Sequence, residues 1–292
     1  MSKVLNQFLL DLREIISLKM KKSIGDSNFI EKAMAYSSIA DSKMIRAGII
    51  YASGRINKNI HDESLLTLAT AVELIHTYSL IHDDLPSMDD DDFRRGKESN
   101  HIKFGEANAI LAGDALQALA YEIICDDKKL DSDSKINAIK LISNACGKNG
   151  MVLGQHLDIE SESKDLKIKD VDNIHSLKTG KLIECSVMLG QINNNDEKIK
   201  EVLNSFGKKI GLAFQITDDI LEATSDQNIL GKNNNSDLRN DKSTYIKVIG
   251  LKEAKNKSRE LSSSAIKSLE ELLLTESNML IELAKYISYR EK

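Results

Sequence analysis

The segment from residue 82 to residue 96 concentrates acidic and basic side chains in one short stretch. Six aspartates, at 83, 84, 89, 90, 91 and 92, fall within ten residues, and Arg94 and Arg95 follow them closely. Magnesium often binds through one or two carboxylates together with waters and substrate phosphates. Arginine adds bidentate hydrogen bonds to phosphate oxygens. The pattern therefore predicts a diphosphate-binding site rather than a metal site made only of protein ligands.

Two other interpretations of this segment stay open at this point. Most plain charge runs are solvated acidic turns, although the apolar helical lead-in and the paired arginines argue against that here. A calcium loop would need the D-x-[DN]-x-[DN]-G spacing and a closing glutamate, which the segment lacks. The chain's only proline, Pro86, lies inside the segment and predicts that a helix ends or kinks there.

A second acidic group lies in another apolar, helix-like run. Asp218, Glu222 and Asp226 are spaced four apart, so on a helix they share one face, and Asp219 adjoins them. A second magnesium-binding wall and a surface repulsion that is merely tolerated explain this group about equally well. Two facing carboxylate walls, however, would hold several magnesium ions around one diphosphate and promote its departure.

The elements that must position these groups have the periodicity of helices. Apolar residues recur at spacings of three and four from Val4 to Ile16 and from Leu65 to Ile75, and the second run continues to the first aspartates. Similar stretches lie roughly at 105–124, 134–150, 170–190, 197–226, 241–274 and 276–289. A single proline permits long helices, and an aromatic content of 4% disfavours a β-rich fold. We expect an all-α protein, one domain over 1–292 built as a bundle of about ten helices.

Composition excludes several classes of protein. A net charge of -5 and a pI near 5.8 argue against a nucleic-acid-binding protein. The three cysteines are far apart, which argues against a disulfide framework or a zinc site and fits a reducing cytoplasm. The N-terminus lacks a signal-peptide core, and no run of about 18 apolar residues occurs, so we expect no membrane span and a cytoplasmic location.

Further motifs around the two acidic groups give the sequence a family resemblance. It resembles the trans-isoprenyl diphosphate synthases, and most closely the bacterial farnesyl diphosphate synthases, from about residue 40 to the C-terminus. Besides the aspartate-rich motifs, the matching segments are 75–82, 103–114, Gly154-Gln155, Lys178-Thr179-Gly180, Gly231-Lys232 and 241–245. The resemblance implies the all-α isoprenoid synthase fold with a deep central cavity, usually as a homodimer. It also implies the condensation of isopentenyl diphosphate with dimethylallyl and geranyl diphosphate.

The resemblance implies a role for each site residue. Magnesium, about three ions in each active site, would be held from one side by Asp83, Asp84 and Asp89, and from the other by Asp218, supported by Asp219 and Glu222. The allylic diphosphate would be held by Arg94, Lys178, Lys232 and Lys242. Isopentenyl diphosphate would be held by Lys43, Arg46, His76 and Arg95. Thr179 and Gln215 would lie near the allylic cation, with Lys178 counted among the same catalytic residues.

The chain departs from the family pattern at two places. The family usually shows Gly-Gly-Lys-Arg-x-Arg-Pro near the isopentenyl site, whereas residues 41–47 here read Asp-Ser-Lys-Met-Ile-Arg-Ala. Lys43 and Arg46 are kept, but both glycines, which allow close backbone approach to phosphate, are replaced. Glu222 stands where aspartate is usual, so its carboxylate is one methylene further from the backbone. These changes leave room for reduced activity or a non-catalytic role.

Two residues ahead of the first motif bear on product length. Tyr78 and Ser79 lie five and four residues before Asp83, so on a helix both project about one turn below the metals. In the family, an aromatic residue here, with four residues between the aspartate pair and the next aspartate, suggests a C15 product. Geranyl or geranylgeranyl diphosphate remains an alternative product. Three other classes of protein also remain as alternatives: a non-catalytic prenyltransferase-like subunit, a terpene cyclase, and a cation-binding structural protein without turnover.

Overall fold

The computed structural model describes residues 1–162, 164–224 and 244–290, and within these ranges nearly all regular structure is helical. The first helices of the chain are α1 (Lys3–Ile24), α2 (Phe29–Ser38), α3 (Ile45–Gly54), α4 (Asp62–Asp83), α5 (Asn100–Phe104), α6 (Glu106–Asp126) and α7 (Ser132–Cys146). They are followed by α8 (Met151–Glu160), α9 (Ile168–His175), α10 (Lys181–Leu189), α11 (Glu197–Thr224), α12 (Tyr245–Glu270) and α13 (Asn278–Tyr289). A π-helical turn, Ser176–Gly180, joins α9 to α10, and a 3₁₀ turn, Thr275–Ser277, precedes α13. The all-α prediction is confirmed, with thirteen α-helices in the described ranges against an expected ten or so.

Side-chain caps define several of the helix starts that the periodicity left vague. Ser2 accepts a hydrogen bond from the backbone N–H of Leu5 at 3.2 Å, which begins α1. Asp131 caps α7 in the same way, through the N–H of Ser134 at 2.7 Å. Such caps satisfy backbone donors that have no partner within the helix. The starts of α1 and α7 therefore follow from local sequence.

Helix α4 is the central helix of the larger hydrophobic core. Fourteen of its 22 residues are buried, and it packs against α3 and α6. By length and composition alone α4 is apolar enough to cross a membrane, but 83% of the apolar window lies inside the protein. A core helix of a soluble protein passes the same test, so the observation is weak support for a span. The expectation that the chain lacks a membrane span stays a prediction.

A two-stranded hairpin follows the first acidic segment. β1 (Phe93–Arg94) pairs antiparallel with β2 (Lys97–Glu98), with Arg94 opposite Lys97. The two linking residues, Arg95 and Gly96, both have left-handed backbone angles, with φ of 54° and 74°. Left-handed angles at both central residues are what a two-residue hairpin loop of type I′ requires. This turn holds the paired arginines beside the end of α4.

Candidate active site

A cavity of about 310 Å³ opens between the C-terminal end of α4, the hairpin, α8, the π-helical turn and α11. Ten of the residues predicted for the site line it: Arg46, His76, Ser79, Asp83, Arg94, Arg95, Lys178, Thr179, Gln215 and Asp218. Leu80, Met151, Gln155 and Phe214 complete the lining. The two acidic groups therefore reach one cavity from different helices, through Asp83 at the end of α4 and Asp218 on α11.

The first acidic segment folds back on the end of α4. After Pro86 the chain reverses, so that the backbone N–H of Asp89 donates to the carbonyl of Asp83 at 2.9 Å and that of Asp91 to Asp84 at 3.3 Å. Proline ends the helix as the sequence predicts. The reversal brings Asp89 back towards the cavity mouth beside Asp83. The backbone reversal thus brings together two aspartates that are six positions apart in the sequence.

Asp84 forms an ion pair with Arg94 inside the protein. The Nε of Arg94 donates to Oδ1 of Asp84 at 2.7 Å, and its Nη2 contacts the same oxygen and Asp91. The side chain of Asp84 is only 4% exposed. Burial raises the pKa of Asp84 to about 6; Arg94 opposes the rise, and the neighbouring Asp91 and Asp83 add to it. Asp84, which is predicted to bind magnesium, and Arg94, which is predicted to bind the allylic diphosphate, are therefore paired with each other.

Asp218 faces the cavity from α11 and pairs with a residue from the end of the chain. Nη2 of Arg290 donates to Oδ1 of Asp218, and the Arg290 guanidinium lies 4.3 Å from the centroid of the Phe214 ring. Burial raises the pKa of Asp218 to about 6, and the charge of Arg290 opposes that rise. Glu222 lies one turn further along α11, half-buried, and does not line the cavity.

Asp219 points into the protein rather than into the cavity. It is 4% exposed and accepts hydrogen bonds from the ring of His175 at 3.2 Å, the backbone N–H of Tyr245 at 2.9 Å and the amide of Gln215 at 3.3 Å. Burial with this many donors satisfies a carboxylate that would otherwise be costly to bury. Asp219 therefore anchors α11 to α9 and α12. Its predicted support of magnesium binding beside Asp218 stays a prediction.

Lys178 lies on the π-helical turn and donates to Asp158 of α8 at 2.7 Å. A Cβ on Gly154 would lie 2.2 Å from the backbone nitrogen of Lys178, so only glycine permits this approach of α8 to the turn. Burial alone would lower the pKa of Lys178, but the charges of Asp158, Asp83 and Asp89 outweigh it and raise the pKa. The ammonium group is therefore held charged at the mouth of the cavity.

Thr179 and Gln215 form a hydrogen-bonded pair on the cavity wall. The hydroxyl of Thr179 donates to the amide oxygen of Gln215 at 2.7 Å. Thr179 is 8% exposed, and both residues line the cavity between Lys178 and Asp218. The sequence placed these two residues together only through the resemblance, whereas the structure brings them into contact across 36 positions.

The predicted isopentenyl site is a basic pocket beside one buried acid, Glu73. Arg46, His76 and Arg95 line the cavity together, and the charges of the two arginines act on the buried Glu73 of α4. Oε1 of Glu73 accepts the backbone N–H of Ala47 at 3.0 Å, which ties the start of α3 to α4. Burial and the nearby arginines lower the pKa of His76 well below its ordinary value, so its imidazole is neutral at pH 7.

In the altered 41–47 stretch, Asp41 and Ser42 replace the two glycines, and neither has a left-handed backbone conformation. Met44 has a left-handed conformation, with φ of 50°, and is the residue directly before α3. Asp41 forms an ion pair with Arg13 of α1. Lys43 does not line the main cavity but borders a neighbouring groove that also includes Arg95. Arg46, His76 and Arg95 therefore share one pocket despite the substitutions, and Lys43 lies outside it.

Tyr78 and Ser79 occupy different positions around the end of α4. Ser79 lines the cavity, whereas Tyr78 is 6% exposed and belongs to the core with Cys146 and Met151. The ring of Tyr78 meets that of His82 edge-on at 5.7 Å. Two residues predicted for the phosphate site, Lys232 and Lys242, lie outside the described residues, as does Asp226.

The donor set suits a hard divalent cation that substrate oxygens help to bind. Within the described ranges, no group of three acidic, histidine or cysteine side chains converges closely enough to hold a metal by itself. Asp83 and Asp218 nevertheless open onto one cavity with only oxygen ligands to offer. Magnesium binds through few carboxylates plus substrate phosphates, so these residues fit it. Asp84 would have to share its oxygens with Arg94.

Several site residues carry little signal in the sequence. Arg290 lies near the C-terminus, away from either acidic motif, and only the fold places it on Asp218. Phe214 directly precedes Gln215, and Asp158 lies three residues after Gln155, so only their nearness to these motifs points to the site. His175 precedes Lys178 by three residues, but alone it reads as an ordinary core histidine.

Comparison with known proteins gives one family and consistent relatives. Residues 27–275 match the polyprenyl synthetase family. The chain is 43% identical over 269 residues to the farnesyl diphosphate synthase of Escherichia coli (strain K12), an alignment that covers 90% of each protein.

Solved structures agree with this result. An FPP/GFPP synthase from Zymomonas mobilis in its apo form superposes with a TM-score of 0.88 at 32% identity, covering 99% of this chain and 100% of that one. A geranyltransferase from Helicobacter pylori, complexed with magnesium and isoprenyl diphosphate, gives 0.83 at 28% identity, covering 98% and 97%.

Proposed function

Because the chain belongs to the polyprenyl synthetase family, we propose that it condenses isopentenyl diphosphate with dimethylallyl and then geranyl diphosphate, giving farnesyl diphosphate and diphosphate. The observation that carries the proposal is the single cavity shared by Asp83, Asp218 and the basic pocket of Arg46, His76 and Arg95. An acidic mouth beside a basic pocket suits two diphosphate substrates. A terpene cyclase needs only one, and a purely structural cation site needs no basic pocket.

The acidic walls and their lysine would organise the allylic diphosphate. Asp83, Asp89 and Asp218 would hold the magnesium ions, about three in number, which when bound neutralise the leaving diphosphate. Lys178 and Arg94 would contact its oxygens, since both are cationic and line the cavity. The carbon–oxygen bond breaks with its electron pair leaving on the diphosphate. These residues thus stabilise charge that develops in the transition state.

The basic pocket would orient the second substrate for carbon–carbon bond formation. Arg46 and Arg95 would bind the diphosphate of isopentenyl diphosphate, and neutral His76 would donate a hydrogen bond to it. The double bond then attacks the allylic carbon, and a proton is lost to the released diphosphate. The apolar part of the cavity lining would keep water away from the allylic cation, which exists after the diphosphate leaves and before the new carbon–carbon bond forms. This part consists of Leu80, Met151 and Phe214.

We also propose that the chain is one domain over 1–292 that works as a cytoplasmic homodimer. Ile102, Ile110 and Leu111 on α5 and α6 are 47%, 43% and 53% exposed, which is an apolar surface suited to a second copy. The cysteines at 125, 146 and 185 are all free, as a reducing compartment would keep them.

A product assay tests the proposed function. Purified protein with magnesium and labelled isopentenyl diphosphate is offered dimethylallyl, geranyl or farnesyl diphosphate, and product length is measured by mass spectrometry. A C15 product from the first two, with farnesyl diphosphate inert, is expected. A C20 product would replace farnesyl with geranylgeranyl diphosphate. Folded protein that binds the allylic diphosphates without condensing them would instead identify a non-catalytic prenyltransferase-like subunit.

A further inference from the structure

His175 lies behind the active-site wall, outside the cavity. It is the last residue of α9, directly before the π-helical turn that carries Lys178 and Thr179. The residue is 9% exposed, and its ring stacks on the ring of Tyr245, with centroids 5.3 Å apart and planes 13° apart. The resemblance assigned this residue no role, and the proposed mechanism does not use it.

The hydrogen bonds of Asp219 fix which ring nitrogen of His175 carries a hydrogen. A carboxylate only accepts, so the imidazole Nε2, 3.2 Å from Oδ2 of Asp219, must be the donor. The backbone N–H of Tyr245 donates to the same oxygen at 2.9 Å. Asp219 is thereby held from two directions, by a side chain of α9 and by the first residue of α12.

The other oxygen of Asp219 fixes the orientation of the Gln215 amide. The Nε2 of Gln215 donates to Oδ1 of Asp219 at 3.3 Å, so the amide oxygen of Gln215 faces the opposite way, towards Thr179. The Thr179 hydroxyl donates its only hydrogen to that oxygen at 2.7 Å. The lone pairs of the Thr179 oxygen are then left for the cavity, where an electron-poor carbon would benefit from them.

We propose that His175 is a positioning residue for the condensation, acting through Asp219 to fix the Gln215 amide and the Thr179 hydroxyl that face the allylic carbon. This inference rests on the proposed function. Without the His175 hydrogen bond, Oδ2 of Asp219 keeps only the backbone N–H of Tyr245, so the carboxylate is held less firmly. Its long contact of 3.3 Å with the Gln215 amide can then break, which lets the amide turn over. A turned amide presents N–H groups to Thr179, which redirects the hydroxyl hydrogen towards the cavity and removes the acceptor from the cation.

A matched pair of variants separates the hydrogen bond from the packing. His175→Phe keeps a ring to stack on Tyr245 but has no donor, whereas His175→Gln keeps an N–H near the position of Nε2 without the ring. We expect His175→Phe to lower kcat about 10- to 100-fold, with the KM of both substrates within about twofold of wild type. His175→Gln should recover kcat to within about threefold of wild type. A purely structural role predicts the reverse order.

A second measurement does not depend on activity. Crystal structures of the ligand-free wild type and both variants would report the Thr179–Gln215 and Gln215–Asp219 contacts. We expect both contacts to be lost in His175→Phe and kept in His175→Gln. Should His175→Phe fail to fold, His175→Asn serves instead, because its side chain is too short to replace Nε2.

Each result decides between distinct statements. Unchanged kcat and unchanged contacts in a folded His175→Phe would overturn the positioning role. Equal losses in the phenylalanine and glutamine variants would overturn it too, because the ring rather than the hydrogen bond would then matter. A wild-type chain that does not condense its substrates would overturn the proposed function, while the crystal structures would still decide whether His175 orients Gln215.

Discussion

The guanidinium of Arg290, one residue beyond α13, is buried against the carboxylate of Asp218 on α11. Its side chain is 5% exposed, and the same guanidinium stacks over Phe214. Arg290 thus supplies a counter-charge to an acidic residue that is predicted to bind magnesium. The C-terminal segment and the metal site are therefore coupled by charge.

Replacing Arg290 should destabilise the metal-free protein more than the metal-bound one. In Arg290→Gln the Asp218 carboxylate loses its counter-charge, which should cost about 1 kcal/mol because Asp218 is partly exposed. Magnesium with an allylic diphosphate analogue restores positive charge, so the Tm difference from wild type should narrow when they are added. Thermal unfolding measures both states. The control is Lys285→Gln, which breaks an ion pair with Glu282 on the surface of α13. If the Tm of Arg290→Gln stays equally far below that of wild type after the ligands are added, the coupling is contradicted.

Asp84 should make the stability of the ligand-free protein fall as pH rises. Its pKa is raised by burial from 3.8 to about 6, so between these values the folded state binds more protons than the unfolded state. Its contribution is fully present below the unfolded pKa and lost as pH rises through about 6. Urea titrations at several pH values should show the free energy of unfolding of wild type falling relative to Asp84→Asn across this range. The exposed Asp92→Asn is the control, and a difference between wild type and Asp84→Asn that does not vary with pH would contradict the shift.

The predictable part of the fold came from periodicity and breakers. The helical runs of α1 and α4 are read directly from apolar spacing, and Pro86 marks where α4 gives way to the acidic loop. Residue type and spacing alone are enough to locate both acidic groups in the sequence. They do not predict what the side chains contact in the folded protein, because spacing along a helix shows a shared face but not what that face meets.

The partners of the acidic residues could not be predicted because they come from distant parts of the chain. Arg290 reaches Asp218 across 72 positions, and His175 reaches Asp219 across 44. Asp218 and Asp219 are adjacent in sequence, yet one faces the cavity and the other the interior. Consecutive helix positions point about 100° apart, so the rotation of α11 in the bundle decides which carboxylate faces the cavity.

A methyl group at Gly154 should displace Lys178. The added Cβ would lie 2.2 Å from the Lys178 nitrogen and 2.5 Å from its Cα, both backbone atoms of the π-helical turn that cannot move aside cheaply. Moving the turn takes Lys178 and Thr179 out of position, so Gly154→Ala should lower kcat about 100-fold. Steady-state kinetics measures this, with the exposed Val152→Ala of the same helix as control. Near-normal kcat in Gly154→Ala would show that the close approach of α8 to the turn is not required.

Tyr78 should limit product length through the bulk of its ring alone. Its buried hydroxyl has no partner within hydrogen-bond distance among the described residues and makes only weaker polar contacts with Gln117 and Cys146, so Tyr78→Phe should keep both stability and the C15 product. Tyr78→Ala removes the ring from the core beneath Ser79, which should cost about 3 kcal/mol and let the product grow to C20 or longer. Mass spectrometry of the products from geranyl and farnesyl diphosphates measures the change. If Tyr78→Ala folds and still stops at C15, another side chain sets the length; if Tyr78→Phe lengthens the product, the hydroxyl rather than the ring is responsible.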